Sequence, residues 1–123
     1  MTSFNLKKSN YVVEEEATLE QVMVSITLNQ RGAVVVVDAH GVMLGIVSDG
    51  DIRRTLLQHA TLIAPVSKAL NMNVVSLSNK EDVASRSREI FREKTVVNII
   101  PVVNEDNKVV DIVVRDPEVR KTF

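Results

Sequence analysis

The chain predicts a mixed α/β (α+β) fold made by duplication. Two copies of one small unit give two small sheets with flanking helices, related by a pseudo-twofold axis. Three observations predict this. Runs rich in valine come in two pairs, each joined by a short turn, as β-branched side chains suit packed strands. A helix-start pattern precedes each pair. Asp38 and Asn104, Gly45 and Asp111, and Ile46 and Ile112 all lie 66 residues apart, the signature of an internal repeat.

The first copy begins with a short edge strand, Tyr11-Val12-Val13. Thr18-Leu19-Glu20-Gln21 then matches a capping box, and Leu19, Val22, Met23 and Ile26 fall on one helical face. Strands at 33–37 and 42–47 flank the turn Asp38-Ala39-His40-Gly41, whose residues tolerate turn geometry. A second helix starts near Asp49. The second copy repeats the order, with an edge strand at 74–77 and a cap at Ser78-Asn79-Lys80-Glu81. In its helix Val83, Ala84, Ile90 and Phe91 face inward, while Arg86, Arg88, Arg92 and Glu93 face solvent. Strands at 98–103 and 109–114 flank the turn Asn104-Glu105-Asp106-Asn107. Thr18 and Ser78 are only 60 residues apart, so the second copy is expected to hold about six more residues between cap and strand. The expected organisation is an extension at 1–9, a first repeat at 10–60 and a second at 61–120. Each half alone buries too little surface to be stable, so the two pack together, and clefts at their seam are where a small ligand fits.

Composition narrows the function classes. Of 123 residues 45% are hydrophobic and 25% charged, ordinary for a globular protein. Fifteen basic against sixteen acidic residues leave a net charge of −1, with no basic face for duplex nucleic acid. The absence of cysteine fits a reducing cytoplasm. The longest apolar run is far too short to span a bilayer, so no membrane partner is expected. Met23, Met43 and Met72 read as core filler. Glu14-Glu15-Glu16 reads as a solvated acidic loop, and His40 and His59 lack a second ligand at metal spacing, so no metal is expected.

The chemistry concentrates where the second strand pair member runs into a helix, Gly45-Ile46-Val47-Ser48-Asp49-Gly50-Asp51-Ile52-Arg53-Arg54. One carboxylate can accept both hydroxyls of a ribose, and Asp51 is placed to do so. A helix N-terminus starting at Asp49 offers unpaired N–H groups to phosphate, and Ser48 adds a hydroxyl. Gly45 and Gly50 allow close backbone approach to a ligand, and Arg53 and Arg54 can neutralise phosphate. The same residues have a plainer reading. Ser48 to Asp51 is an N-cap with acids at the favourable end of the dipole, and the two arginines are a solvated helix face.

Gly45-Ile46-Val47-Ser48-x-x-Asp51 closely resembles the strand-to-helix motif of CBS domains. Val35-Val36-Val37-Asp38-x-x-Gly41 and Ile100-Pro101-Val102-Val103-Asn104-Glu105-Asp106 fit the same family, and the resemblance spans about residues 10 to 117. The stretch Ser48-Asp49-Gly50-Asp51-Ile52-Arg53-Arg54 is similar to CBS pairs attached to sugar-nucleotide transferases (nucleotidyltransferases) and sugar-phosphate isomerases. The resemblance implies a regulatory, non-catalytic module of the cytoplasm that binds AMP, ADP, ATP or another nucleotide. No cofactor is required. It implies a homodimer and an attached or partner enzyme domain. The chain reads either as a standalone protein or as the regulatory piece of a larger enzyme, and the narrower likeness favours the latter. Pro101 would wall a base pocket, against the alternative of a simple edge-strand proline.

The second copy departs from the motif. Asp111 replaces the glycine, Val114 the hydroxyl, and Pro117 stands where the ribose-binding acid belongs, although proline suits a first helical turn. The expectation is therefore one nucleotide, held by the first repeat. A ligand-free dimerisation module is the alternative. A small enzyme is the remaining class, but no Ser–His–Asp set, carboxylate pair or Walker-type loop assembles.

Overall fold

A computed structural model describes residues 9–116. In chain order the elements are β1 (Val12–Glu14), α1 (Leu19–Asn29), β2 (Ala33–Val37), β3 (Met43–Ser48) and α2 (Asp49–Leu57). After a short 3-10 turn at Val66–Ala69 come β4 (Leu77–Ser78), α3 (Val83–Glu93), β5 (Ile99–Val103) and β6 (Val109–Val114). They form two three-stranded sheets of the same topology, β1-β2-β3 and β4-β5-β6, each with one parallel and one antiparallel pairing.

The duplication extends to fine detail. Both hairpins bulge at the same place, between Val36 and Val37 and between Val102 and Val103. Asp38 Oδ1 accepts the N–H groups of His40 and Val42, and Asn104 Oδ1 accepts those of Asp106 and Lys108. Gly41 and Asn107 close the turns in the left-handed region, at φ 85° and 60°. The asparagine and glycine there are the residues that tolerate such backbone.

An uninterrupted valine strand suits this architecture because both of its faces are buried. Val34 and Val36 point to the helices, into a core with Leu19, Val22, Ile26, Val47 and Ile52. Val35 and Val37 point the other way, into a layer shared with Ile99 and Val109 of the second sheet. Side chains that alternate across a strand thus serve two cores at once. Each buried valine is worth about 1.5–3 kcal/mol relative to exposure. In the second half Ile100 faces Leu77 and Ile90 under α3.

Several expectations are corrected. Helix α3 is capped by Asp82, whose side chain accepts the Ser85 N–H, and not by Ser78. Ser78 and Glu81 instead close a turn, the Glu81 carboxylate taking the Ser78 N–H and Ser78 Oγ the Lys80 N–H. Asp82 lies 64 residues after Thr18, so the second copy is longer by two residues and not six. They sit between α3 and β5. Thr18 does form the expected capping box with Gln21. Met23 and Met72 are not core filler: they are 39% and 79% exposed, because the buried face of α1 runs through Leu19, Val22 and Ile26. Ala84 is exposed, and Ser87 takes the inward position in α3. The boundary drawn at residue 60 falls inside the first packing unit, since Val66 and Ala69 belong to the first core.

The edge strand expected at 74–77 shrinks to Leu77–Ser78 for an identifiable reason. Val35 donates its N–H to the Tyr11 carbonyl beside β1, and the equivalent residue in the second sheet is Pro101, which has no N–H to give. Pro101 is not at an edge. It is fully buried in β5, the middle strand, paired with Ile112.

Candidate functional site

Strand β3 delivers Ser48 to the seam between the halves, where α2 begins. The cap is complete. Ser48 Oγ accepts the Asp51 N–H at 3.2 Å, while Asp51 Oδ2 accepts both the Ser48 N–H and its hydroxyl, each at 3.0 Å. Arg54 closes over the other carboxylate oxygen, Oδ1, as an ion pair. The plainer reading of this segment is therefore real structure. Asp51 is 12% exposed, beneath an Arg54 side chain that is 68% exposed. Oδ1 is thus covered by an exposed guanidinium alone, while Oδ2 is committed to the cap.

The remaining predicted residues divide. Asp49 is exposed, and its N–H donates to Gly32 O at 3.0 Å, which ties the start of α2 to the start of β2. Gly50 lies in the first turn of α2 with open space around it: an added Cβ would meet only the tip of Arg54 at 3.4 Å and Ser48 Oγ at 3.8 Å. Arg53 is exposed. Gly45 is a correction. Its close approach is to its own chain, since a Cβ there would sit 2.6 Å from Asn71 O and 2.7 Å from Leu70 Cδ1. Ile46 and Asn71 exchange two backbone hydrogen bonds at that crossing, of 2.8 and 2.9 Å. Pro101 stands on the second sheet, away from the residues lining the clefts described next.

A cleft of about 400 Å³ opens at the seam. It is lined by Thr27, Gln30, Arg31, Gly32 and Asp49 of the first half and by Asn98 of the second, whose Nδ2 donates to Arg31 O at 3.1 Å. Sequence reasoning missed Arg31, Gly32 and Asn98, which belong to no motif. A larger cleft of about 880 Å³ lies around Glu14, Glu16, Gln21, Asp38 and His40, and none of the predicted site residues lines it. The Asp38 carboxyl there is held below its usual range, first by the Val42 N–H and then by the His40 N–H. It is committed to the turn. Among the described residues no group of three or more His, Asp or Glu is placed to hold a metal, and no helix is long and apolar enough to cross a membrane.

The equivalent point in the second half is filled. Arg115 occupies the place of Asp49, and its N–H donates to Asn98 O, as that of Asp49 does to Gly32 O. Its side chain, in a residue only 8% exposed, caps the two-residue-longer connection after α3. Nε and Nη2 donate to Val97 O and Nη2 also to Lys94 O, at 2.8–3.0 Å, and the guanidinium lies 4.7 Å from the Phe91 ring centroid. Alignment of the copies carried this signal, an arginine replacing an aspartate. Val114 faces the shared layer between the sheets, and Pro117 lies outside the described residues.

Two α/β repeats about a pseudo-axis, with a capped helix start at their seam, define a paired-repeat module. Residues 5–58 match the family described as the CBS domain. The chain belongs to the CBS-domain family, and its fold is that of CBS pairs. It is 32% identical over 101 residues to arabinose 5-phosphate isomerase KpsF of Escherichia coli, covering 82% of this chain and 31% of that protein. The chain thus spans about a third of this curated relative. Among solved structures, an acetoin utilization protein (AcuB) from Vibrio cholerae superposes with a TM-score of 0.75 at 21% identity, covering 89% of this chain and 80% of that one. The CBS domain protein PAE2072 from Pyrobaculum aerophilum, complexed with AMP, gives 0.66 at 22%, covering 89% and 82%. The cytosolic domain of the Mg2+ channel MgtE, in complex with ATP, gives 0.64 at 23%, covering 93% and 46%.

Proposed function

We propose that this module is a regulatory sensor which binds one nucleotide per chain, an adenine nucleotide such as AMP, ADP or ATP or another nucleotide, at the first-repeat helix start. The observation that carries this is the asymmetry at the seam. Asp49, next to the Ser48 cap and two residues before Asp51, lines an open cleft, whereas the matching place in the second repeat is plugged by Arg115. Asp51 Oδ1 takes the ribose hydroxyls, Ser48 and the Gly50 backbone meet the phosphate end, and Arg53 and Arg54 lie one turn on as neutralising charge. Fold relatives solved with AMP and with ATP support the ligand class. The module itself catalyses nothing, resides in the cytoplasm and reports to an attached enzyme. Of the two attachments suggested by the sequence, the isomerase relative supports a sugar-phosphate isomerase and lends no support to a nucleotidyltransferase. A homodimer suits the exposed apolar residues Val24 and Leu28 of α1 and Leu57 of α2.

Melting of wild type and Asp51→Ala, with and without AMP, tests the reading. At about one hundred times its dissociation constant a ligand stabilises the fold by roughly 2.7 kcal/mol. Asp51→Ala melts lower without ligand, because the lost cap costs about 0.5–2 kcal/mol of stability, and in addition loses most of the ligand shift. A mutant that melts lower yet binds AMP like wild type leaves Asp51 only the capping role, and a wild type that shows no nucleotide shift at all leaves the alternative of a ligand-free dimerisation module.

A further inference from the structure

Arg31 and Arg115 flank the same seam with opposite outcomes. The guanidinium of Arg115 is shared among backbone carbonyls. That of Arg31 is not satisfied. Its Nη1 reaches Gln30 O at 3.2 Å, and among the described residues the other donors find no acceptor, with Nε shut off from solvent. A donor both buried and unpaired costs free energy, and a charged group more so. Among the described residues no carboxylate pairs with Arg31, although Asp49 lines the same cleft. The side chain contributes little to holding the fold, because the bond that joins the halves here uses the Arg31 carbonyl.

We propose that Arg31 is the phosphate-anchoring residue of the seam cleft, and that Asp49 across from it is the opposing charge that limits how much phosphate the site accepts. This rests on the nucleotide reading above but assigns a residue outside the Ser48–Asp51 segment. A phosphate oxygen in the cleft meets the Nη donors, and a turn of the side chain into the cleft brings the buried Nε to a second oxygen, since a guanidinium fork takes two such oxygens together. Because Arg31 and Asp49 bring opposite charges to one cleft, neutralising each shifts phosphate affinity in opposite directions. A purely structural role for either would not produce that pair of signs.

Calorimetry with AMP, adenosine and inorganic pyrophosphate on wild type, Arg31→Ala, Arg31→Lys and Asp49→Asn tests this. Wild type binds AMP more tightly than adenosine. Arg31→Ala reduces that preference about tenfold, as expected for a lost charge-assisted hydrogen bond, leaves adenosine binding unchanged and melts no lower than wild type without ligand. Arg31→Lys restores part of the preference. Asp49→Asn strengthens AMP and pyrophosphate binding severalfold. If AMP binds and Arg31→Ala keeps the full AMP-over-adenosine preference, the assignment of Arg31 is wrong and the nucleotide reading stands. If no nucleotide binds but pyrophosphate does so through Arg31, the assignment stands and the nucleotide reading fails. Equal loss of AMP and adenosine affinity in Arg31→Ala also overturns the proposal, since it marks a general change of shape. If none of the three probes binds, both fall.

Discussion

Gly45→Ala separates a glycine kept for chain packing from one kept for a ligand. The new methyl would lie 2.6 Å from Asn71 O and 2.7 Å from Leu70 Cδ1, and the first of these is backbone, which cannot rotate away. Either β3 or the 70–71 segment must move. Overpacking of this kind costs about 1–3 kcal/mol. The two hydrogen bonds between Ile46 and Asn71 stretch with it, each worth about 0.5–1.5 kcal/mol. Because the segments yield in part, the sum is about 2–4 kcal/mol. For a domain of this size that lowers the melting temperature by roughly 6–20 °C. Circular dichroism melting of the ligand-free protein measures it, with Gly50→Ala as the control. Gly50 has room for a methyl and sits in a helix, where alanine is preferred by up to about 1 kcal/mol. Gly50→Ala therefore melts at or slightly above wild type. A Gly45→Ala protein that melts within a degree or two of wild type refutes the packing account and returns Gly45 to the ligand.

Arg115→Ala strands the carbonyls of Lys94 and Val97 and is expected to cost about 2–4 kcal/mol by urea unfolding. Arg115→Lys recovers less than half of this, since an ammonium cannot span both carbonyls and stack on Phe91. Asp38 gives a pH dependence. Its folded pKa lies below the usual 3.8, so its contribution to stability is fully present at neutral pH and is lost only as pH falls through the folded value. Asp38→Asn should consequently unfold with less dependence on pH below about 4 than wild type, as read by acid titration of the circular dichroism signal.

Strand existence was legible in the sequence because β-branched runs are rare elsewhere in the chain, and the 66-residue register paired them correctly. What the runs could not reveal is which valines face helices and which face the other sheet, since a strand buried on both sides shows no alternation. The second helix start was misplaced because Ser78 and Asp82 each have an acceptor side chain at cap spacing, and only the packing of Ile90 under β5 decides between them. At the site, Ser48 and Asp51 announced themselves by motif. Arg31 and Asn98 did not, being brought together across 67 residues by the pseudo-axis. Gly45 was misread because the segment that needs its bare backbone, Leu70-Asn71, lies 25 residues on with no pattern to betray it.

The backbone stitching between the hairpin turns fixes how the halves can move. Met43 N–H bonds to Asn107 O, Val109 N–H to Gly41 O, and Asn107 Nδ2 to Met43 O, all at 2.9–3.2 Å. At the far end of the strands the halves meet instead through the Asn98 side chain on the Arg31 carbonyl. The pair is built like tweezers, with its pivot at the turns and its tips at the seam cleft. Five residues of β2, at roughly 3.3 Å each, make an arm of about 16 Å. A rotation of about 5° at the pivot then moves the tips by over 1 Å, enough to make or break a hydrogen bond. The angle between the two sheets is therefore read out most strongly at the tips, where a small change at the turns is multiplied.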